Sequence, residues 1–475
     1  MILLTRYAII KKRYARQVAQ GAESAHNSGD DSFAQKLSAL IQIPTVSWTD
    51  RDKIDPALFR QFQSRLEELF PLVHGNLTRD LHGDYGIIYH WKGRDSSLKP
   101  VLFLAHYDVV PAEEKGGEAW TEEPFSGLIK EGELWGRGTL DIKTQLAFQL
   151  ETAERLLGEG WQPERDIWFA FGGDEEISGR EGAQKMAEVL KNRGLRFEFI
   201  LDEGGVIARD QLAFLKGRPA ALIGLEEKGF VTFKISASGA SGHSSMPTRE
   251  GTAIGRLSKG IVRLEKRLFP SRLTPVMRNM LERLVPWVSF PLGVLFANLW
   301  LTAPLIRFVF SRSPVTDSLI RTTQAVTVFK GGEQENILPG EATCLVNHRI
   351  LPGDTIKSLE RRHRRTLRDP GLTLEDAGNW PSNDPIAGAD SEGSGFRLIQ
   401  EVLEETHPEV VAVPFLVNGS TDSKYYRELS DQILRFTPLV LRPEDIASIH
   451  GVNEKVSLEN LRKGLEFYTR LFRRL

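Results

Sequence analysis

The sequence predicts an α/β fold: a catalytic domain with a mixed sheet flanked by helices, interrupted by a smaller α+β lid domain. Two observations support this. Short apolar runs alternate with helical patterns from Ser32 to about Leu225, and the alternation resumes from about Asn379 to Leu475. A chain of 475 residues is also too long for one ordinary domain.

The first catalytic segment has three short runs rich in Val, Ile, Leu and Phe, which predict buried strands at Val101–Leu104, Ile167–Phe171 and Phe197–Leu201. Between the first two, apolar residues from Leu146 to Leu157 recur on one face of a helix, which Gly158 and Gly160 end.

The lid begins near Glu226 and follows the order βαββαβ, which is typical of a ferredoxin-like domain. The predicted elements are Phe230–Ser238, Thr252–Leu268, Arg321–Phe329, Glu341–Ile350, Thr355–Leu367 and Leu372–Glu375. The expected boundaries are a tail at 1–31, catalytic segments at 32–225 and 379–475, and a lid at 226–378 with an apolar insertion at 270–320.

Composition narrows the function. Lys and Arg number 61 against 63 Asp and Glu, so the net charge of −2 gives no reason to expect nucleic acid as a partner. Cys344 is the only cysteine, which rules out an intrachain disulfide and a thiolate cluster. Any metal site must therefore use histidines and carboxylates.

Two apolar segments bear on membranes. Met1–Ile10 is broken by Arg6 and precedes a basic run, so it makes a poor signal peptide; we expect a cytoplasmic location and a frayed basic tail rather than a membrane-surface anchor. Leu284–Ile306 has no charged residue and is long enough to span a bilayer, but it contains three prolines within an otherwise soluble pattern. We expect it to pack on the protein, line an apolar substrate channel, or touch a membrane surface without crossing it; a single span through the bilayer is the less favoured alternative.

Four clusters of acidic and histidine residues adjoin the apolar runs: His106–Asp108, Gly136–Asp141, Asp174–Glu176 and Asp202–Gly205. Ligands of open α/β sheets lie beyond the carboxyl ends of the strands, so these clusters should converge on one crevice, which His450 could join. Each pattern alone is more often a cap or a turn. Four of them after consecutive strands favour a site.

Converging carboxylates repel one another unless cations compensate them, and mixed nitrogen and oxygen donors suit zinc. A pair of ions needs a bridging carboxylate, for which Asp141 is the natural candidate. Each ion then needs a histidine and a carboxylate: His106 with Asp202, and Glu176 with His450.

In the run of adjacent acids only one residue need bind metal, which leaves Glu175 free to act as the base. Asp108, two residues after His106, can hold the other ring nitrogen of that histidine. Two metal ions beside a general base suit a hydrolytic reaction.

These motifs resemble those of the co-catalytic zinc metallopeptidases that include aminoacylase, carboxypeptidase G and succinyl-diaminopimelate desuccinylase, from about Phe33 to Leu475. The run Ile449–Lys455 and the proline-rich insertion are most similar to the branch of carboxypeptidase S (the Gly-Xaa carboxypeptidase) and the N-fatty-acyl-amino-acid hydrolases. The resemblance implies a zinc-peptidase-like catalytic domain and hydrolysis of an amide bond next to a free carboxylate, in a small peptide or an N-acyl amino acid. It also implies two Zn²⁺ per chain, replaceable by Co²⁺, on the five ligands named above.

The resemblance also implies substrate-binding residues. They are His243, Asn336 and the carboxylate-binding Arg349 in the lid, and Gly419 and Ser420 in the second catalytic segment. In several relatives the lid histidine serves the partner's active site, which implies a homodimer. Without the resemblance, the lid residues would be interpreted as a turn and a surface charge.

The sequence departs from the family at Ile142 and Thr144, where the usual Asp-Asp-Lys-Gly reads Asp-Ile-Lys-Thr, and at Gly173, where this branch often has histidine. No ligand or base is lost. Two rival hypotheses remain: a non-catalytic homologue that acts as a binding module, and a membrane-associated N-fatty-acyl-amino-acid hydrolase/synthase.

Overall fold

Strands and helices alternate along both catalytic segments of the computed structural model, which describes residues 1–15, 32–112, 119–249, 251–378, 380–386 and 388–475. The strands are β1 Thr78–His82, β2 Gly86–Trp91, β3 Val101–His106, β4 Ile129–Lys130, β5 Glu133–Trp135, β6 Ile167–Gly172, β7 Ile200–Asp202, β8 Ile207–Ala208, β9 Ala220–Glu227, β10 Gly229–Ser238, β11 Gly242–His243, β12 Thr323–Gly331, β13 Ile337–Leu338, β14 Glu341–Ile350, β15 Leu372–Asp376, β16 Val411–Val417, β17 Ile433–Arg435, β18 Val440–Leu441 and β19 Lys455–Ser457. The α-helices are α1 Ile2–Ala15, α2 Ser32–Ile41, α3 Pro56–Leu69, α4 Pro71–Asn76, α5 Lys143–Gly158, α6 Lys185–Asn192, α7 Ala253–Glu265, α8 Pro275–Arg283, α9 Phe290–Ala297, α10 Leu299–Phe310, α11 Pro314–Ser318, α12 Ile356–Leu367, α13 Ser394–Thr406, α14 Pro443–Ser448 and α15 Leu458–Phe472.

A ten-stranded mixed sheet forms the centre of the catalytic domain, in the order β1-β2-β6-β3-β7-β17-β9-β8-β18, with β16 paired to β9. β3 runs parallel to both β6 and β7. Its alternate residues enter two cores: Phe103 packs with residues of α5 and α15 on one face, and Leu102 and Leu104 pack with residues of α6 on the other. Burial on both faces explains why this strand is an unbroken apolar run in the sequence.

The lid contains a four-stranded antiparallel sheet in the order β12-β14-β10-β15. With α7 after β10 and α12 after β14, this is the predicted ferredoxin-like arrangement, and the fold class is confirmed. The residues of β14 alternate between buried and half-buried positions, and its buried residues, such as Cys344 and Val346, share a core with α7 and α12. Its other residues, including Arg349, face away from that core.

The apolar insertion packs differently from the expectation that it belongs to the lid. Met277, Leu281 and Leu299 share a core with Leu222 of β9 and Val413 of β16, strands of the large sheet. The core of the lid sheet contains no residue of α8, α9 or α10 among the described residues. The sequence order places this segment inside the lid, but its apolar side chains bury themselves on the catalytic sheet, where β9 and β16 leave an apolar face open.

The described part of the N-terminal tail is also ordered rather than frayed. α1 packs on α9 through an edge-to-face contact between Tyr7 and Phe290, whose ring centroids are 5.2 Å apart. Nε of Arg6 donates a hydrogen bond to the carbonyl of Ala297 at 2.6 Å. The rest of the predicted tail, 16–31, lies outside the described residues.

The membrane-spanning alternative for 284–306 can be compared with the helix lengths. Within the described ranges, no single helix is long and apolar enough to cross a bilayer. α9 and α10 satisfy the criteria of length and composition only as a pair, and the two axes are bent by 115°.

Candidate metal centre

Parallel strands bring the predicted clusters to one edge of the large sheet. His106 is the last residue of β3, opposite Gly172 at the end of β6, and Asp202 ends the neighbouring strand β7. The turn after β6 carries Asp174–Glu176, and His450 follows α14. The crevice predicted beyond the carboxyl ends of the strands is therefore present.

Asp141 lies between the two histidines. Its Oδ1 is 3.1 Å from Nε2 of His106, and its Oδ2 is 3.0 Å from Nε2 of His450. The same His450 nitrogen is 3.2 Å from Oε1 of Glu176. Candidate ligand atoms form two groups, each within 4.8 Å, that share Asp141: one with His106 and Glu203, the other with Glu176 and His450. A carboxylate that serves two adjacent groups is what a bridged pair of ions requires.

The predicted ligand Asp202 does not join either group of candidate ligand atoms. Its Oδ1 accepts the backbone N–H of Glu203 and its Oδ2 accepts that of Ser423, both at 2.9 Å, so its carboxylate holds backbone rather than joining the group. Glu203 takes the place instead. The sequence shows an adjacent pair of acids at the end of a strand. The pattern does not tell which of the two side chains points into the crevice.

A close approach of backbone explains the glycine that follows this pair. A Cβ at Gly205 would lie 2.1 Å from the carbonyl oxygen of Leu222 and 2.5 Å from that of Arg435. A side chain would therefore push the turn away from β9 and β17. The turn that presents Glu203 depends on glycine here.

The three adjacent acids after β6 have three different tasks. Asp174 is buried and accepts the backbone N–H groups of Glu181 and Gly182, both at 2.8 Å, which fixes the turn. Glu176 contacts His450, as described above. Glu175 makes no side-chain hydrogen bond among the described residues, so its carboxylate is free for chemistry.

Asp108 contacts both His106 and the backbone of the segment Glu175–Glu176. Its two carboxylate oxygens accept the backbone N–H groups of Glu175 and Glu176, each at 3.1 Å. Its own carbonyl oxygen is 3.1 Å from Nδ1 of His106, and its Oδ1 is 3.3 Å from the same nitrogen. Asp108 therefore contacts the ring of His106 and also holds the backbone of Glu175 and Glu176.

Glu454 is a residue that sequence reasoning missed. It is fully buried and accepts hydrogen bonds from the backbone N–H groups of Gly138 at 3.0 Å and Leu140 at 2.7 Å, and from Nη1 of Arg137 at 2.5 Å. Nη2 of Arg137 donates to the carbonyl of Gly451 at 2.6 Å. Hydrogen bonds thus connect the loop of Asp141 to the loop of His450. The signal was an acid four residues after His450.

Electrostatics show how the crowded carboxylates are compensated. Burial lowers the pKa of His106, but hydrogen bonds to two aspartates outweigh it and raise the pKa well above its usual value. Hydrogen bonds to Asp141 and Glu176 raise the pKa of His450 to about 10. Burial raises the pKa of Glu176 to about 7 and that of Glu175 well above its usual value.

This donor set fits divalent metal ions. A bound cation offers the crowded carboxylates the compensation that protonated imidazoles give, and it leaves the imidazoles neutral. Nitrogen and oxygen donors in groups of three are what zinc prefers when protein ligands leave one position open.

Arg349 lies on the face of β14 that is turned away from the lid core. Its guanidinium stacks over the ring of Phe230, 5.0 Å from the centroid, and burial lowers its pKa, which Glu227 opposes. No carboxylate of the described residues lies within 4.0 Å of it. A partly buried, planar cation without a carboxylate partner differs from the surface charge that its place at a strand end would otherwise indicate.

His243 and Asn336 meet on an exposed ribbon of the lid. β11 pairs with β13, so that His243 lies opposite Ile337, and the N–H of Ser244 donates to the carbonyl of Asn336 at 3.0 Å. Nδ1 of His243 is 2.8 Å from Oγ of Ser245. Among the described residues, no hydrogen bond joins this ribbon to the metal-centre residues. The structure thus brings the two predicted residues together, but apart from the centre.

The predicted loop with Gly419 and Ser420 follows β16 and leads back to the centre. The hydrogen bond from the N–H of Ser423 to Asp202 joins the end of this loop to β7. Gly419 is exposed, with open space where a Cβ would be. The loop therefore lies beside the crevice, with unobstructed backbone at Gly419.

The fold and the site together define a metal-dependent hydrolase of the α/β class. The model of peptidase family M20/M25/M40 matches residues 102–474. The chain is 36% identical over 447 residues to probable carboxypeptidase S-like 2 of Dictyostelium discoideum, covering 94% of this chain and 85% of that protein. It is 35% identical over 440 residues to the N-fatty-acyl-amino acid synthase/hydrolase PM20D1 of Homo sapiens, covering 92% and 86%.

Solved structures agree on the fold. The M20 family metallo-carboxypeptidase Sso-CP2 from Sulfolobus solfataricus superposes with a TM-score of 0.67 at 16% identity, covering 94% of this chain and all (100%) of that one. The chain belongs to peptidase family M20/M25/M40 and is a metallopeptidase of the amide-hydrolase type. The resemblance inferred from the motifs, including the carboxypeptidase S and N-fatty-acyl-amino-acid hydrolase branch, is confirmed.

Metal content should distinguish Glu203 from Asp202. Glu203→Gln removes a charged donor, so we expect the metal bound per chain to fall by about half, by elemental analysis after dialysis. Asp202→Asn keeps an oxygen acceptor for one backbone N–H, so it should retain the metal but lower the melting temperature. Loss of metal in Asp202→Asn with full occupancy in Glu203→Gln would restore Asp202 as the ligand.

Proposed function

We propose that this chain hydrolyses an amide bond next to a free carboxylate, with two zinc ions per chain. One ion would be held by His106, Asp141 and Glu203, and the other by Asp141, Glu176 and His450. The observation that carries the proposal is the Asp141 carboxylate shared between two groups of ligand atoms beside an uncommitted glutamate. When bound, the ions would supply Lewis acidity and lower the pKa of water.

Glu175 would act as general base and then as general acid. Its backbone N–H is fixed by Asp108, while its carboxylate has no partner among the described residues. It can therefore accept a proton from the attacking water and return it to the leaving amine. The high pKa that burial gives Glu175 favours holding that proton between the two steps.

Arg349 would bind the free carboxylate of the substrate. Its guanidinium is partly buried and lacks a carboxylate partner among the described residues. A substrate carboxylate could therefore pair with it through two parallel N–H···O hydrogen bonds. The ribbon with His243 and Asn336 would donate to the carbonyl oxygen of the scissile amide when the lid closes on a substrate, or when a partner chain supplies it. The loop at Gly419 and Ser420 would line the same site.

A binding module without catalysis is less well supported. Such a protein has no need for an uncommitted glutamate beside two complete ligand groups, and this chain has both. Within the enzyme hypothesis, carboxypeptidase-like and N-acyl-amino-acid substrates share the free carboxylate and differ in the acyl group. Relatives of both names resemble the chain to a similar degree.

Substitution of the base should separate chemistry from metal binding. Glu175→Gln keeps the shape of the side chain but cannot carry the proton, so kcat should fall by about 10²–10⁴-fold with the metal retained. Glu181→Gln, an acid in the same turn that pairs with Lys185, is the matched control and should keep kcat. A Glu175→Gln enzyme with half the parent rate would show that another group is the base.

Recognition of the carboxylate should depend on the fork of Arg349. Arg349→Lys keeps the charge but not the two parallel donors, so we expect KM to rise about tenfold and kcat to change less. Arg361→Lys on lid helix α12 is the control. Equal kcat/KM on a free-acid substrate and on its carboxamide would contradict carboxylate recognition.

A panel of substrates with one amino acid and different acyl groups should identify the preferred class. We expect kcat/KM to rise from acetyl to long-chain acyl if the chain acts as an N-fatty-acyl-amino-acid hydrolase, because each buried methylene contributes about 0.8 kcal/mol. Highest kcat/KM on dipeptides, with no gain beyond acetyl, would instead assign it to the carboxypeptidases. EDTA should abolish both activities, and Zn²⁺ or Co²⁺ should restore them.

A further inference from the structure

Helix α10 is apolar on the side that packs and also on the side that does not. Leu299, Ala303 and Ile306 are buried against the catalytic domain. The opposite side carries Trp300, Leu301, Leu305, Phe308 and Val309, each between 50% and 60% exposed. Their spacing places them in one stripe along the helix, and Pro304 is the other exposed residue in that stripe. A helix that faces water normally carries polar residues there.

Helix α1 extends this apolar stripe. The side-chain amide of Asn298 donates to the carbonyl of Leu3 at 3.1 Å, and its oxygen accepts from the indole N–H of Trp300 at 3.4 Å. The start of α1 therefore lies beside the start of α10. Ile2, at 73% exposure, and Leu4, at 53%, add to the same surface. We call the exposed apolar residues of α1 and α10 together the apolar face.

The charged residues within the segments that form the apolar face have one sign, but two of them pair with acids of other segments: Arg6 with Glu282 and Arg13 with Glu392. Residues 1–15 and 284–316 contain no Asp or Glu, and they contain six Lys or Arg residues: Arg6, Lys11, Lys12, Arg13, Arg307 and Arg312. Lys11, Lys12 and Arg312 are exposed. An apolar surface with cations beside it is complementary to anionic headgroups over an apolar layer.

The dimensions of α10 favour a helix that lies flat over a single helix that spans the bilayer. α10 has 12 residues, which gives a length of about 18 Å against a hydrocarbon core of about 30 Å. The 115° bend and the buried side of α10 keep α9 and α10 from forming one straight helix. The exposed side alone is available, and it suits insertion to the depth of the headgroups.

We propose that the apolar face docks on the surface of an anionic phospholipid bilayer, with Trp300, Leu305 and Phe308 inserted and Lys11, Lys12 and Arg312 at the headgroups. A second copy fits this surface less well, because a two-fold interface would place the same cations opposite themselves. The inference rests on exposure and charge, so it holds whether or not the chain hydrolyses amides.

Vesicle sedimentation of the full-length, metal-loaded protein tests the proposal. We expect binding to vesicles of phosphatidylcholine with about 30% phosphatidylglycerol, and about tenfold weaker binding to phosphatidylcholine alone. Leu305→Ser with Phe308→Ser should weaken binding to both by about tenfold or more. Lys11→Glu with Lys12→Glu should weaken only the binding to anionic vesicles.

The matched control replaces exposed apolar residues of the lid. Val262→Ser with Leu268→Ser changes side chains that are 47% and 59% exposed, and this variant should bind as the parent does. The melting temperature of each variant shows that it is folded. Equal binding by the α10 and lid variants, or no binding to anionic vesicles, would overturn the proposal. So would a dimer in light scattering that becomes monomeric in the α10 variant, because the face would then join two copies.

Discussion

Six carboxylates share one crevice at the carboxyl edge of the large sheet, and the cost of bringing their charges together constrains much of the surrounding structure. They belong to Asp108, Asp141, Glu175, Glu176, Asp202 and Glu203. Two carboxylates outside the ligand groups are compensated by backbone, whereas that of Glu175 has no hydrogen-bond partner among the described residues. Asp108 accepts two N–H groups, and so does Asp202. The negative charge of the other carboxylates is compensated by the protonated imidazoles and, in the proposed function, by the metal ions.

This compensation draws on distant parts of the chain, which explains why the catalytic domain is discontinuous. The N–H that Asp202 accepts comes from Ser423, and the acid that fastens the loop of Asp141 is Glu454. Ser423, which donates, and Glu454, which accepts, both belong to the second catalytic segment, although His106, Asp141 and Glu176 all lie in the first. The first segment alone would leave its carboxylates incompletely satisfied. The lid is inserted between the two segments without separating them in space.

A buried ion pair extends the same network to the beginning of the lid. Nε of Arg435 donates to Oε2 of Glu227 at 2.6 Å, and both side chains are fully buried. Glu227 also accepts from the hydroxyl of Thr421 at 3.0 Å and ends the strand that leads into β10. Breaking a buried pair of this kind leaves an uncompensated charge, which typically costs about 3–5 kcal/mol. The position where the chain enters the lid is therefore tied to the loop beside the crevice.

Local patterns were sufficient for the fold and for most of the candidate centre. Apolar runs buried on both faces identified β3 and β6, and the βαββαβ order identified the lid, because these depend on periodicity. The sequence favoured Asp202 as a ligand, whereas the structure places Glu203 in the candidate ligand group. That difference depends on where β7 ends and on the backbone N–H that Ser423 donates to Asp202. Glu454 was missed for a similar reason: its partners are more than 300 residues away in the sequence.

Local sequence patterns also do not determine where the apolar insertion packs. A segment that is apolar on all sides predicts a buried helix, a membrane span or an interfacial helix equally well, because periodicity carries no information when there is no polar face. Its position inside the lid sequence suggested that it packs there, yet the open apolar face of β9 and β16 buries one side of it. Packing thus accounts for Leu299 and Ile306, but it leaves Trp300 and Phe308 in solvent. The burial of the core therefore does not explain why Trp300 and Phe308 are apolar.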